Sequence, residues 1–222
     1  MIAAYQTGDP YLNFAIQAGA APRGATKASH GAVREQFKAC ALGVQYSMGE
    51  HALAARIGRS PAHARELLAL HRRVYPVFWN WIEGALEHAS VYGQLDTVYG
   101  WRLHTTAETK VPALLNYPMQ SNGAEMLRLA CCLAVDRGIR ICAPVHDALL
   151  IEAPVNEIET AVSVTQASMA EASRRVLGSL ELTSDAKVIR FPGRYVDDRG
   201  QAMWDTVMGL LHEVEQEIGI SC

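Results

Sequence analysis

The spacing of apolar residues changes near Gly93, and this change constrains the fold more than any other feature of the sequence. Before Gly93 the apolar residues recur every three or four positions, which predicts helices. After it, alternating or short apolar runs predict strands between further helices. A helical half followed by a smaller unit of helices and strands predicts the α+β class. The predicted helices cover residues 1–5, 13–18, 30–47, 50–57, 61–74, 77–90, 118–137, 155–176 and 202–218, and the predicted strands lie in 93–104 (a hairpin), 139–143, 145–153 and 180–189.

Prolines and polar residues set several of these boundaries. Ser60 followed by Pro61 predicts a helix start, because serine caps a helix and proline fits the first turn. A later helix is predicted from Pro118 to Arg137. Two apolar strands, 139–143 and 145–153, are predicted to be separated around Pro144.

The charge of the chain is unevenly distributed. The sequence has 20 basic and 23 acidic residues, a net charge of -3, which argues against a general nucleic-acid-binding protein. Between residues 20 and 74, however, nine Lys and Arg residues stand against three Glu residues, a local balance of +6. The overall charge therefore conceals a basic segment.

The cysteines are odd in number and form no CxxC pair, which favours reduced thiols over disulfides or a zinc site. No signal peptide and no apolar run of about 20 residues is present, so we predict a cytoplasmic protein without a membrane partner. The cysteines are Cys40, Cys131, Cys132, Cys142 and Cys222.

The segment from Arg34 to Tyr46 is the first candidate functional motif. Arg34, Lys38, Leu42 and Tyr46 are spaced by four residues, so they share one face of the predicted helix. Two cations one turn apart can bind a polyphosphate, and the apolar and aromatic residues that follow suit a sugar and a base. The alternative is an amphipathic helix with two solvated basic residues.

Three further motifs follow in the second half of the chain. The pair His146-Asp147 stands between two apolar strands, where a carboxylate can bind a divalent cation or simply form a turn. Asn116 and Gln120 are four residues apart and either face a groove of DNA or cap and solvate a helix. Arg102, at the end of the predicted hairpin, either meets a phosphate or a minor-groove edge of DNA or is an ordinary surface arginine.

Taken together, the motifs resemble those of the family A (polymerase I-like) DNA polymerases. That family carries an Arg-x3-Lys-x3-(Phe or Tyr)-Gly-x2-Tyr-Gly helix, a Thr-x2-Gly-Arg segment, an Asn-x3-Gln helix and a Val-His-Asp-Glu turn, in this order. The resemblance covers nearly the whole chain. The matching residues here are Arg34, Lys38, Gly43, Tyr46, Thr97, Gly100, Arg102, Asn116, Gln120, Val145, His146 and Asp147.

The resemblance implies a role for each motif residue in template-directed DNA synthesis from dNTPs on a primer-template. Arg34 and Lys38 would hold the incoming triphosphate, and Lys38 would protonate the pyrophosphate leaving group. Leu42 would lie against the sugar, and Tyr46 would occupy the templating-base position until the helix closes. The other residues would contact DNA (Arg102, Asn116 and Gln120), lie near the primer terminus (His146) and bind Mg²⁺ in a two-metal site (Asp147).

Departures from the family pattern limit what the resemblance implies. The first metal-binding Asp of the family is expected upstream of Met1, so Asp147 would be the one carboxylate ligand in this chain. Asp9 lies in a turn after the first helix and is not a substitute. Leu42 replaces an aromatic residue, and Tyr11 stands where many members have a phosphate-contacting His. Ala148 replaces the acid that usually follows Asp147.

These features predict a fingers subdomain over residues 1–137 and a partial palm over residues 138–222. An upstream polymerase segment, on the same or a separate chain, would complete the enzyme, and the isolated chain is expected to be inactive. The alternative is an inactive truncated remnant that binds DNA or a partner weakly. A helical binding module unrelated to polymerases would need all four motifs to coincide in order.

Overall fold

A computed structural model describes residues 1–178, 180–196 and 199–218, and two compact units divide the chain at Met126 and Leu127. Helices dominate both units, and each contains one small antiparallel sheet, so the α+β prediction is confirmed. The helices are α1 (Ile2–Gln6), α2 (Pro10–Gln17), α3 (Lys27–Gln45), α4 (Glu50–Ile57), α5 (Pro61–Val74), α6 (Pro76–Tyr92), α7 (Val111–Asp136), α8 (Ile158–Val176) and α9 (Gln201–Ile218); the strands are β1 (Gln94–Asp96), β2 (Arg102–His104), β3 (Arg140–Val145) and β4 (Ala148–Glu152).

Side-chain caps fix the starts of three helices in the first unit. Asp9 accepts a hydrogen bond from the backbone N–H of Leu12 and begins α2. Thr26 and Ser29 form a reciprocal capping box at the start of α3. Ser60 caps α5 with Pro61 at the first helical position, as predicted. These caps satisfy backbone donors that the first turn of each helix leaves unpaired.

The core of the first unit lies among α2, α3, α4 and α5. Phe14 from α2 packs edge-on against Phe37 from α3, with 4.6 Å between ring centroids. Leu53 and Leu67 close the core from α4 and α5 and are almost fully buried. This packing fixes which face of α3 is turned away from the core.

The second unit consists of the second half of α7, the β3–β4 hairpin, α8 and the segments that follow α8. The hairpin is antiparallel, with Val145 opposite Ala148 beside the turn and an irregularity in the register around Cys142. Arg137, just after α7, donates a hydrogen bond to the Ser168 hydroxyl on α8 at 2.8 Å and pairs with Glu171. Polar contacts therefore link the end of α7 to α8.

Two predicted boundaries that fell at prolines were wrong. Helix α7 begins at Val111 and continues through Pro118. A proline inside a helix costs roughly 3 kcal/mol, and two hydrogen bonds form beside it. The Tyr117 hydroxyl donates to the Trp101 carbonyl at 2.7 Å, and the Asn122 amide donates to the Pro118 carbonyl at 2.6 Å. Pro144 lies inside β3 opposite Leu149, because a strand with a free edge does not need its N–H.

The predicted strand over residues 180–189 is also wrong, since the structure assigns no strand there. Leu182 and Ser184 remain half-buried in the expected alternation, but their backbone groups bond to side chains of α8. The Leu182 N–H donates to the Ser173 hydroxyl at 2.9 Å, and Gln166 donates to the Ser184 carbonyl at 2.6 Å. The helix side chains thus replace a neighbouring strand.

The remaining predictions have different outcomes. The observed division falls inside α7, whereas we predicted a boundary after residue 137, and the fingers and palm assignments stay predictions. Four cysteines are free thiols, and Cys222 lies outside the described residues. Within the described ranges, no helix combines the length and apolar character that a bilayer crossing requires. Every residue from 201 to 214, in α9, is exposed.

Candidate functional site

Helix α3 presents the predicted stripe of Arg34, Lys38, Leu42 and Tyr46. The first three side chains are half-buried, and Tyr46 at the end of the helix is 55% exposed. Gly43 lies beside the stripe and is tightly packed, because a Cβ there would lie 3.2 Å from the Met48 sulfur and would require the Met48 side chain to shift. The stripe residues therefore lie side by side on a helix that the core holds in place.

Tyr11 from α2 brings the two cations of the stripe together. The Arg34 guanidinium carbon lies 5.4 Å from the centroid of the Tyr11 ring, and the Lys38 ammonium lies 5.9 Å from it. Both distances fall within the range in which an aromatic face attracts a cation. Tyr11 is one of the residues that depart from the family pattern, and it borders the candidate phosphate site.

Asp9 binds Arg34 directly. The Arg34 Nε donates to Asp9 Oδ2 at 2.6 Å, while Arg34 Nη1 contacts the exposed Glu35 carboxylate at 2.5 Å. Burial alone would raise the pKa of Asp9, but the hydrogen bonds from Arg34 and the Leu12 N–H outweigh it, so the pKa lies below its usual value. Sequence reasoning gave Asp9 no role except to exclude it as a metal ligand.

The Asn116 and Gln120 motif lies in the first half of α7, one helical turn apart. The Gln120 amide approaches the Tyr46 hydroxyl at 3.4 Å, a long hydrogen bond that joins two predicted site residues. Asn116 is half-buried in the same helix. The structure therefore brings the end of the α3 stripe next to the predicted DNA-contacting motif of α7.

Arg102 on β2 is paired with an acidic neighbour. Its Nε and Nη2 donate to the two carboxylate oxygens of Asp96 on β1, at 2.7 and 3.2 Å. The hydrogen bond from Arg102 lowers the pKa of Asp96 below its usual value. A phosphate that binds Arg102 must therefore compete with this carboxylate.

Sequence reasoning missed two side chains that hold the β1–β2 loop. The Asn122 amide oxygen accepts from the Val98 N–H at 2.9 Å, and the Glu125 carboxylate accepts from the Tyr99 N–H at 3.2 Å. Glu125 is 4% exposed. The sequence offered one signal for Glu125. Apolar residues flank this carboxylate, and a buried charge requires a partner.

His146 and Asp147 form the two-residue turn of the β3–β4 hairpin in the second unit. Both are exposed, and His146 has a φ of 56°, a left-handed conformation uncommon for residues other than glycine. No group of three or more His, Cys, Asp or Glu side chains able to hold a metal ion occurs among the described residues. Asp147 therefore fits one ligand of a divalent cation but not a complete site.

Comparison with known proteins gives consistent matches over most of the chain. The family profile described as DNA polymerase family A matches residues 1–188. DNA polymerase I of Deinococcus radiodurans is 28% identical over 149 residues, covering 61% of this chain and 16% of that protein. DNA polymerase I of Chloroflexus aurantiacus is 26% identical over 205 residues, covering 82% of this chain and 22% of that protein.

The fold has a match among solved structures. The POL domain of Pol1 from M. smegmatis, solved with DNA primer-template and dNTP, aligns with a TM-score of 0.65 at 24% identity. The alignment covers 77% of this chain and 32% of the other. This chain thus spans about a fifth of the two DNA polymerase I proteins. On the match of the family profile to residues 1–188, the chain belongs to DNA polymerase family A.

Proposed function

We propose that this chain forms the fingers and part of the palm of a DNA-directed DNA polymerase. In this proposal α3 binds the triphosphate of an incoming dNTP through Arg34 and Lys38, which lie near the same Tyr11 ring. That shared position is the observation that carries the proposal, because it brings two cations to one place beside a half-buried helix face. Family membership supports the substrate class.

The rest of the stripe suits the remainder of a nucleotide. Leu42 follows Lys38 by one turn and would lie against the sugar, while Tyr46 is exposed and would meet the templating base. The Tyr46–Gln120 contact supports a link between nucleotide selection and the DNA-contacting residues Asn116 and Gln120. Lys38 would protonate the pyrophosphate as the bond between it and the α-phosphorus breaks.

Asp147 would supply one ligand to the divalent cations on which this family depends, and His146 would lie near the primer terminus. Because the described residues do not complete a cation site, we propose that an upstream polymerase segment supplies the second carboxylate. That segment would belong to the same or a separate chain.

Primer extension tests this proposal. The chain is assayed alone and with its upstream coding region restored, using Mg²⁺, four deoxynucleotides and a primed template. We expect extension only with the upstream region, and a loss of at least about 100-fold for Asp147→Asn. Asp185→Asn, an exposed carboxylate in the same unit, serves as the matched control and should retain activity.

Other outcomes would change the interpretation. Extension by the chain alone would refute the need for a second carboxylate from outside. Failure of both preparations, with the restored protein folded, would favour the alternative of an inactive remnant that binds DNA weakly. Equal losses for Asp147→Asn and Asp185→Asn would remove the special role of Asp147.

A further inference from the structure

Asp9 uses both of its carboxylate oxygens at a point where two helices meet. One oxygen accepts from the Leu12 N–H at 3.1 Å and caps α2, while the other accepts from Arg34 Nε at 2.6 Å. Only 26% of the Asp9 side chain and 14% of the Arg34 side chain are exposed. This ion pair is therefore better shielded from solvent than an ordinary surface pair.

Asp9 accepts a hydrogen bond only from the Nε–H of Arg34, so other N–H donors of the guanidinium can still bind a ligand. Nε is the guanidinium nitrogen nearest the side-chain stem, and Glu35 contacts only Nη1. Among the described residues, no group accepts a hydrogen bond from Nη2. A carboxylate held at Nε restricts rotation of the planar guanidinium, so the direction of its outer nitrogens is fixed before a ligand arrives.

We infer that Asp9 is a positioning residue for the polyphosphate site, acting through Arg34. The inference rests on the proposed function, since it assumes that Arg34 binds the triphosphate. It predicts that removal of the Asp9 charge weakens triphosphate binding, although the change adds one positive charge to the site. If Asp9 merely neutralised Arg34, its removal would strengthen binding, so the sign of the effect separates the two roles.

The chain offers a substitution suited to this test. Asp9→Asn keeps a side-chain oxygen that caps α2 about as well as aspartate does, so folding should be preserved while the ion pair is lost. Glu35→Gln is the matched control, because it removes an equal charge from the same arginine, but from a side chain that is 59% exposed.

The measurement is equilibrium binding of a fluorescent deoxynucleoside triphosphate to the full chain with Mg²⁺, followed by anisotropy. We expect Asp9→Asn to raise the Kd about threefold to tenfold and Glu35→Gln to change it less than about twofold. In an Arg34→Ala background, Asp9→Asn should add no further change. Equal melting temperatures for wild type and Asp9→Asn would exclude a loss of folding.

Failure of the inference and failure of the proposed function give different results. If Arg34→Ala weakens binding while Asp9→Asn leaves it unchanged or tightens it, only the positioning role is wrong. If the wild type does not bind the nucleotide, or binds it as Arg34→Ala does, the proposed nucleotide site is wrong and the inference with it.

A second measurement does not depend on the nucleotide. The Nε–H proton of Arg34, assigned by its disappearance in Arg34→Ala, should give a downfield and slowly exchanging NMR signal in the wild type, because it donates to a carboxylate. Asp9→Asn should move this signal toward that of a solvated arginine. An identical signal in both proteins would show that the pair does not form in solution.

Discussion

Acidification should destabilise the first unit through His71, which is fully buried among aromatic side chains. The Trp79 indole N–H donates to His71 Nδ1 at 3.1 Å, so the neutral ring carries its proton on Nε2. No partner for Nε2 occurs among the described residues. Burial lowers the pKa of His71 from 6.5 to about 4.

The sign of the effect follows from the lowered pKa. Above pH 6.5 the ring is neutral in both the folded and the unfolded chain, and the full stability is present. As the pH falls below 6.5, the unfolded chain binds a proton that the folded chain does not bind until about pH 4. Between pH 7.5 and pH 5, this linkage removes about 2 kcal/mol from the free energy of unfolding.

Urea unfolding at pH 7.5 and pH 5, followed by tryptophan fluorescence, measures this loss. His71→Asn is the comparison, because an asparagine oxygen lies near the position of Nδ1 and can accept from Trp79 but does not titrate in this range. We expect His71→Asn to be less stable at both pH values and its loss between them to be smaller by about 2 kcal/mol.

An equal loss in wild type and His71→Asn would refute the reasoning, since the titrating group would then lie elsewhere. The core matters for the candidate site because Phe14 contacts both His71 and Phe37, at 5.2 and 4.6 Å between ring centroids. Protonation of His71 therefore acts beneath the helix that carries Arg34.

Two further predictions concern single side chains. Asp96→Asn should free Arg102, which should raise the affinity for primed duplex DNA about threefold and steepen the dependence of log Kd on log salt concentration by up to about one. Asp136→Asn is the control. Unchanged binding by Asp96→Asn would place Arg102 away from DNA. Burial raises the pKa of Cys40 to about 12, so a thiol reagent at pH 8 should label the exposed Cys132 and Cys142 but reach Cys40 only after unfolding. Mass spectrometry of labelled peptides checks this order, and early labelling of Cys40 would contradict its burial.

Local chemistry made much of the first unit predictable. The start of α5 at Pro61 follows from a serine cap and a proline, and the stripe on α3 follows from the helical period alone. The predicted helix start at Pro118 was wrong: α7 begins at Val111, and contacts from Tyr117 and Asn122 flank the proline. Tertiary contacts can override the intrinsic preference of a residue type for a position in a helix.

Contacts between distant residues could not be predicted from spacing. Asp9 and Arg34 are 25 residues apart, and only the packing of α2 on α3 places them together. Likewise, the alternation in residues 180–189 indicates which side chains are buried but not what the backbone bonds to. A side-chain hydroxyl of α8 took the place of the strand partner that the pattern suggested.

The exposed apolar face of helix α9 affects the free energy with which this helix can bind another surface. Its apolar side chains, including Trp204, Val207, Leu211 and Val214, are exposed, and it lies beyond the residues that the family profile matches. An isolated helix of this length is marginal in water, because its own hydrogen bonds barely offset the entropy of ordering the chain. A surface that covers the apolar face of α9 would therefore give up part of its binding free energy to hold the helix in order.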